Sequence, residues 1–117
     1  NEKIKNKTFT VLRKQLNNSL EKNFDKKKII IAYEPIWSIG TNKIPKIENL
    51  RSTIRFIKSE LKRIFKTKEV PSILYGGSVN GKNISLFSYV SEIDGFLIGG
   101  ASQSSKKFID IVKNYYK

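Results

Sequence analysis

The 117-residue chain contains no cysteine and no histidine. Without cysteine there is no disulfide framework, no thiol nucleophile and no thiolate zinc site. Without histidine, Ser-His-Asp and Cys-His catalysis and most transition-metal sites are excluded. Acid–base chemistry, if the chain performs any, falls to Asp, Glu, Lys or Tyr. Acidic residues are also scarce, 10 against 23 Lys and Arg, which leaves a net charge of +13. That excess is 19 Lys with only 4 Arg, spread along the whole chain. Nucleic-acid readers use Arg for base contacts and interleave exposed aromatics. Neither pattern is present, so the lysines read as solvated helix faces and no nucleic-acid partner is expected. No apolar run approaches the roughly 20 residues of a membrane span. No membrane partner is expected, and with no signal-peptide pattern the expected setting is cytoplasmic. The chain opens on Asn1, and the expectation is that its natural sequence continues upstream.

What is present is an alternation of helical and strand patterns. Phe9, Leu12, Leu16 and Leu20 recur at spacings of three and four and predict a helix over 7–22. Ile29 to Tyr33 is an unbroken apolar run, the pattern of a strand buried on both faces of a parallel sheet. Ile47, Leu50, Ile54, Ile57, Leu61 and Ile64 form one stripe of a five-turn helix, with Pro45 just before it. A strand over Ser72–Tyr75, a short helix over Asn83–Val90, a strand over Gly95–Ile98 and a helix over Ser105–Tyr116 follow. The last helix is expected to turn Phe108, Ile109, Val112 and Tyr116 inward. The order α-β-α-β-α-β-α, with no linker, predicts one α/β unit over 1–117 with three parallel strands. Three parallel strands leave open edges, so the unit reads as part of a larger sheet, prone to aggregate or dimerise alone.

In α/β folds the chemistry sits at the C-terminal ends of parallel strands. Those ends are Tyr33-Glu34-Pro35, Tyr75-Gly76-Gly77-Ser78 and Ile98-Gly99-Gly100-Ala101. One offers a carboxylate. The other two offer small residues whose backbone N–H groups can approach an anion closely, and a phosphate site needs such groups. Taken singly, each has a plainer reading. Glu34 fits an exposed strand cap, each Gly-Gly a simple turn, Ser78 a turn cap, Trp37 packing, and Ile39 and Leu97 ordinary core.

Jointly, AYEPIWSIGTNK, LYGGSVNGKN and IDGFLIGGAS, in this order, resemble the sixth, seventh and eighth strand–loop segments of the triosephosphate isomerase family. The resemblance extends over essentially all 117 residues. It implies the C-terminal part of an eight-stranded (β/α)8 TIM barrel. It also implies interconversion of dihydroxyacetone phosphate and D-glyceraldehyde 3-phosphate, with no cofactor and no metal. By the same resemblance Glu34 is the base that shuttles a proton between the two carbons beside the carbonyl. Pro35, Ile36, Trp37, Ser38, Ile39, Gly40, Thr41, Asn42 and Lys43 form a lid loop. Gly40, Ser78, Gly99 and Gly100 bind the substrate phosphate. Ile39 and Leu97 form an apolar clamp that closes over the base, where desolvation would raise its proton affinity.

Two positions depart from the family pattern. Asn42 stands where glycine is common; asparagine tolerates left-handed backbone, so lid closure is expected to survive. Pro45 stands where many members offer an N–H to the tyrosine matching Tyr75, and proline has none. A looser lid or a stiffer second hinge is therefore expected. The larger departure is extent. The family fold has eight strands in about 250 residues. Its substrate-binding lysine and asparagine, its histidine electrophile and most of its homodimer interface come from the half of the barrel this chain does not contain. The expected partners are thus a small phosphorylated triose and the missing N-terminal half. Alone, the chain is expected to be inactive. The other readings the residues admit are a phosphate-binding partial barrel without catalysis and, on net charge alone and with less support, a basic nucleic-acid-binding protein.

Overall fold

The computed structural model describes residues 2–117, the side chains of Glu2 and Lys3 excepted. Seven principal elements follow one another: α1 (Glu2–Ser19), β1 (Ile30–Tyr33), α2 (Ile47–Phe65), β2 (Ser72–Tyr75), α3 (Ile84–Phe87), β3 (Gly95–Phe96) and α4 (Ser105–Tyr115). Short 3-10 turns at Lys26–Lys28 and Gly100–Gln103 precede β1 and α4. The element order is the one the sequence predicts. α1 starts and stops earlier than 7–22, its end coinciding with Asn17-Asn18-Ser19, residues that favour caps over helix interiors. α3 and β3 are shorter than expected, although the Leu97 N–H still bonds the Tyr75 carbonyl beyond the end of β3.

The three strands form one parallel sheet in the order β1-β2-β3. Ile30 pairs with Ser72 and Tyr33 with Tyr75, while Leu74 pairs with Gly95 and Tyr75 with Phe96. That register aligns the three strand ends, because chain direction and rise are shared. The Gly76 N–H extends the ladder by donating to the Tyr33 carbonyl at 2.9 Å. Thus the carboxylate end and the first Gly-Gly end lie side by side.

The core lies between one sheet face and the helices. Ile73 and Tyr75 are fully buried there against Leu50, Ile54, Ile57 and Leu61 of α2 and Ile84 and Phe87 of α3. The predicted α2 stripe is therefore the packed face, with Ile47 and Ile64 half-buried at its ends. The expectation of a β1 buried on both faces is corrected. Ile30 is 67% exposed and Ala32 is exposed, so the helices cover only the Ile31 and Tyr33 side. An all-apolar run reports burial in the assembled sheet, and nothing among the described residues covers the second face.

A second correction concerns α4. Its fully packed side chain is Ile111, 5% exposed, whereas Phe108, Ile109, Val112 and Tyr116 are all exposed. The apolar residues share one broad arc of that helix, opposite Lys106, Lys107, Asp110, Lys113 and Asn114, and packing among the described residues buries only its Ile111 edge. Phe108, Val112 and Tyr115 instead line an open apolar groove of about 300 Å³ beside Phe96, at the unpaired edge of β3.

α1 is fastened to α2 partly by charge. The buried Glu60 carboxylate of α2 accepts from Arg13 Nε of α1 and from Arg63 Nε at 2.7 Å. Arg63 also reaches Asn17 Oδ1 of α1 at 2.6 Å. Burial raises the Glu60 pKa, but the hydrogen bonds and charges of the two guanidiniums outweigh it and hold the carboxyl below its ordinary value. A folded-state pKa below the unfolded one adds stability that is complete above the unfolded value, about 4.3, and lost as pH falls through the folded value. Glu60→Gln is accordingly expected to flatten the acid limb. The urea midpoint of the parent should fall more steeply between pH 5 and pH 3 than that of the variant. Parallel profiles for the two would contradict this assignment.

Candidate active site at the strand ends

Glu34 is the first residue beyond β1. Its carboxylate is exposed and makes no hydrogen bond or ion pair with any described residue. The side chain lies across Gly76 of the neighbouring strand end. A Cβ built on Gly76 would stand 2.6 Å from Glu34 Cγ and 3.1 Å from Oε1. Glycine is required there by the close approach, since any side chain would displace the carboxylate. Gly77 meets a similar demand on the other side of the chain. A Cβ there would fall 2.0 Å from the Tyr75 hydroxyl and 2.6 Å from Ser38 Oγ. The first Gly-Gly pair is thus explained by contact on both flanks.

The loop after Glu34 is compact. The Ser38 N–H bonds the Pro35 carbonyl at 2.8 Å, and the Thr41 hydroxyl donates to the Trp37 carbonyl at 2.9 Å. Gly40 and Asn42 both adopt left-handed backbone, φ 65° and 60°. The expectation that Asn42 would accommodate such angles therefore holds. The loop is pinned onto the β2 end: the Asn42 N–H donates to Ser78 Oγ at 3.1 Å, and the Ser78 hydroxyl donates to the Ser38 carbonyl. Ser78 is itself set by the next turn, where Asn83 Nδ2 bonds its carbonyl at 2.9 Å. Asn80 Oδ1 caps that turn by accepting from the Lys82 and Asn83 N–H groups.

The four residues expected at the phosphate do not share one state. The N–H groups of Gly40, Gly99 and Gly100 have no acceptor among the described residues, and all three glycines are exposed. The Ser78 N–H, by contrast, is occupied by Ser38 Oγ at 3.1 Å. Ile39 and Leu97 are 49% and 46% exposed, so neither shields Glu34 from water in this structure. Trp37 does not face the carboxylate side. With Phe9, Tyr33, Ile44 and Leu50 it lines a cleft of about 440 Å³ between α1 and α2, behind the loop. Neither Glu34 nor the Gly-Gly turns line that cleft, and on their side the uncovered sheet face leaves the site open.

Ser38, in sequence terms only a lid residue, is fully buried, as is Tyr75, whose hydroxyl lies 3.1 Å from Ser38 Oγ. Burial raises the Tyr75 phenol pKa more than the Ser38 hydrogen bond lowers it, and burial together with Tyr75 raises that of Tyr33. Both phenols therefore stay protonated at neutral pH. The available signal was a lone hydroxyl in an otherwise apolar Ile-Trp-Ser-Ile run. Among the described residues, no group of His, Cys, Asp and Glu side chains converges to hold a metal ion. Among the described residues, no helix is long and apolar enough to cross a membrane.

A parallel sheet with a free carboxylate at one strand end, and glycine-rich turns at the next two, defines a segment of an α/β-barrel protein whose site lies on the strand-end rim. The family model described as triosephosphate isomerase matches residues 1–115. The triosephosphate isomerase of Mycoplasma mobile is 44% identical over 108 residues, covering 92% of this chain and 42% of that protein. That of Yarrowia lipolytica is 41% identical over 114 residues, 97% and 46% of the two chains. The crystal structure of triosephosphate isomerase from Bartonella henselae superposes with a TM-score of 0.80 at 32% identity, over 99% of this chain and 47% of that one. The chain belongs to the triosephosphate isomerase family. It spans less than half the length of the relatives it matches.

Proposed function

We propose that residues 1–117, as one unit, form the proton-transfer side of a triose-phosphate isomerase site, completed by strands this chain does not contain. The observation that carries the reading is the Glu34 carboxylate, without a hydrogen-bond or ion-pair partner among the described residues and held over Gly76 beside a loop already pinned to the next strand end. In this role Glu34 takes a proton from the carbon next to the carbonyl of dihydroxyacetone phosphate and returns it to the adjacent carbon, giving D-glyceraldehyde 3-phosphate. The substrate phosphate is gripped by the unoccupied N–H groups of Gly40, Gly99 and Gly100, the last two opening a 3-10 turn. Ser78 joins them when its N–H is released from Ser38. Ile39 and Leu97 close over the base once substrate is present. Loop residues 35–43 are the lid.

The group that polarises the carbonyl must come from outside, since the chain has no histidine. Family membership supports a homodimer in the cytoplasm for the completed barrel, without nucleic-acid or membrane partners.

The test compares the chain alone with a completed barrel, in which the remaining five strands come from the Mycoplasma mobile relative, fused or supplied in trans. The expected result is negligible turnover of D-glyceraldehyde 3-phosphate by the chain alone and clear turnover by the completed barrel. Substantial turnover by the unaccompanied chain would overturn the proposal. A completed barrel that binds inorganic phosphate but never turns over would leave a phosphate-binding partial barrel instead.

A further inference from the structure

We propose that Ser38 is the latch of the lid, a positioning residue whose hydroxyl oxygen joins the second stem of the loop to the ends of the Tyr75 strand and the Ser78 turn. The inference rests on the loop acting as a lid in the proposed reaction.

A serine hydroxyl has one proton to donate and two lone pairs to accept with. Ser38 Oγ donates to the Lys43 carbonyl at 2.5 Å, so its single proton is committed to the far stem of the loop. The remaining two contacts must therefore be donors to Ser38. One is the Ser78 N–H at 3.1 Å. The other is the Tyr75 hydroxyl at 3.1 Å, which geometry alone leaves ambiguous. Counting protons resolves it: the Tyr75 O–H donates and Ser38 accepts. All three valences of this fully buried hydroxyl are then filled, as burial demands.

The partner residue answers in kind. Ser78 gives its O–H to the Ser38 carbonyl and receives the Asn42 N–H at 3.1 Å. Two serines thus interlock, each through one donated and at least one accepted bond, and between them they hold residues 38, 42 and 43. Gly77 makes room for the arrangement, because a side chain there would collide with both the Tyr75 hydroxyl and Ser38 Oγ. Pro45, without an N–H, has no donor for the Tyr75 oxygen, and the phenol instead gives its own proton to Ser38 Oγ. The latch also holds the Ser78 N–H away from any anion. A phosphate that recruits this N–H must compete with Ser38, which couples phosphate binding to the state of the lid.

Double-mutant analysis of the completed barrel tests this. Ser38→Ala and Tyr75→Phe are each expected to lower kcat/KM about tenfold, the scale of losing one or two net hydrogen bonds. Together they should be no worse than Ser38→Ala alone, since both remove the same bond and the double variant leaves no orphaned buried hydroxyl. A hundredfold, additive loss would overturn the latch, because two residues that share one bond cannot lose it twice.

Amide hydrogen exchange on the completed barrel supplies a readout independent of turnover. In Ser38→Ala the Ser78 amide should exchange at least about tenfold faster, and faster than the Asn42 amide, whose acceptor is retained. Tyr75→Phe should leave the Ser78 amide the better protected of the two variants, and it carries the measurement should Ser38→Ala fail to fold. An unchanged Ser78 amide in Ser38→Ala, or uniformly unprotected lid amides in the parent, overturns the latch. Absence of turnover in every completed barrel, with these exchange changes present, would sink the proposed isomerase instead and leave the latch standing.

Discussion

Glu34→Gln in the completed barrel is expected to lower kcat by about 10²- to 10⁴-fold, the usual contribution of a positioned general base. The substitution removes basicity and almost nothing else. Glutamine has the same shape, so its side chain still fits across Gly76, where any bulk on the glycine would displace it. Glu34 has no ion pair or hydrogen bond to lose among the described residues, so stability should not move. The N–H groups assigned to phosphate lie on Gly40, Gly99 and Gly100, and inhibition by inorganic phosphate should therefore be unchanged. The separation of the two readouts matters. A large fall in kcat with an intact phosphate inhibition constant marks Glu34 as the proton carrier. Turnover within tenfold of the parent would remove it from that role, whatever happened to phosphate.

The placement of these residues at the strand ends was legible because it is local. A carboxylate, a Gly-Gly-Ser and a second Gly-Gly each stand directly after a strand, and parallel register alone brings them together. The α2 stripe was legible because six apolar residues keep one period over five turns, and Asn42 because a left-handed angle is a property of one residue. What stayed hidden depends on partners far away in sequence. The Ser38 contacts to Tyr75 and Ser78 span 37 and 40 residues, and no periodicity announces them. The β1 run looks buried on both faces for a related reason. Ile30 and Ala32 are apolar as a barrel interior would demand, but the chain that would face them is not among these residues. α4 failed differently. Phe108, Ile109, Ile111, Val112, Tyr115 and Tyr116 do share one apolar arc, but it is wider than the surface the described residues offer it, and only its Ile111 edge is buried.

Phe87→Ala is expected to be the most damaging substitution for stability, at about 3–5 kcal/mol. Phe87 is 1% exposed and sits at the junction of three elements. Its ring centroid lies 4.8 Å from that of Tyr75 on β2 and 6.1 Å from that of Phe96 on β3. It also belongs to α3, a helix of four residues, Ile84–Phe87. A single turn has no helical stability of its own, so α3 exists only because Ile84 and Phe87 are anchored in the core. Truncation would therefore leave a cavity, lose the Tyr75 ring contact and release the turn. Set against the 5–15 kcal/mol typical of whole domains, a loss of that size removes a large part of the folding free energy. Urea unfolding of the completed barrel should show the midpoint falling sharply for Phe87→Ala, less for Phe87→Leu and hardly at all for Tyr116→Ala, a residue 80% exposed. The damage should also reach the lid. Tyr75 owes the placement of its hydroxyl to the ring behind it, so lid amides should lose protection in Phe87→Ala at urea concentrations where the rest of the fold is intact. A midpoint for Phe87→Ala within about 1 kcal/mol of the parent would show that the sheet and α2 hold the fold without the aromatic cluster. It would also show that Tyr75 is positioned by its strand alone.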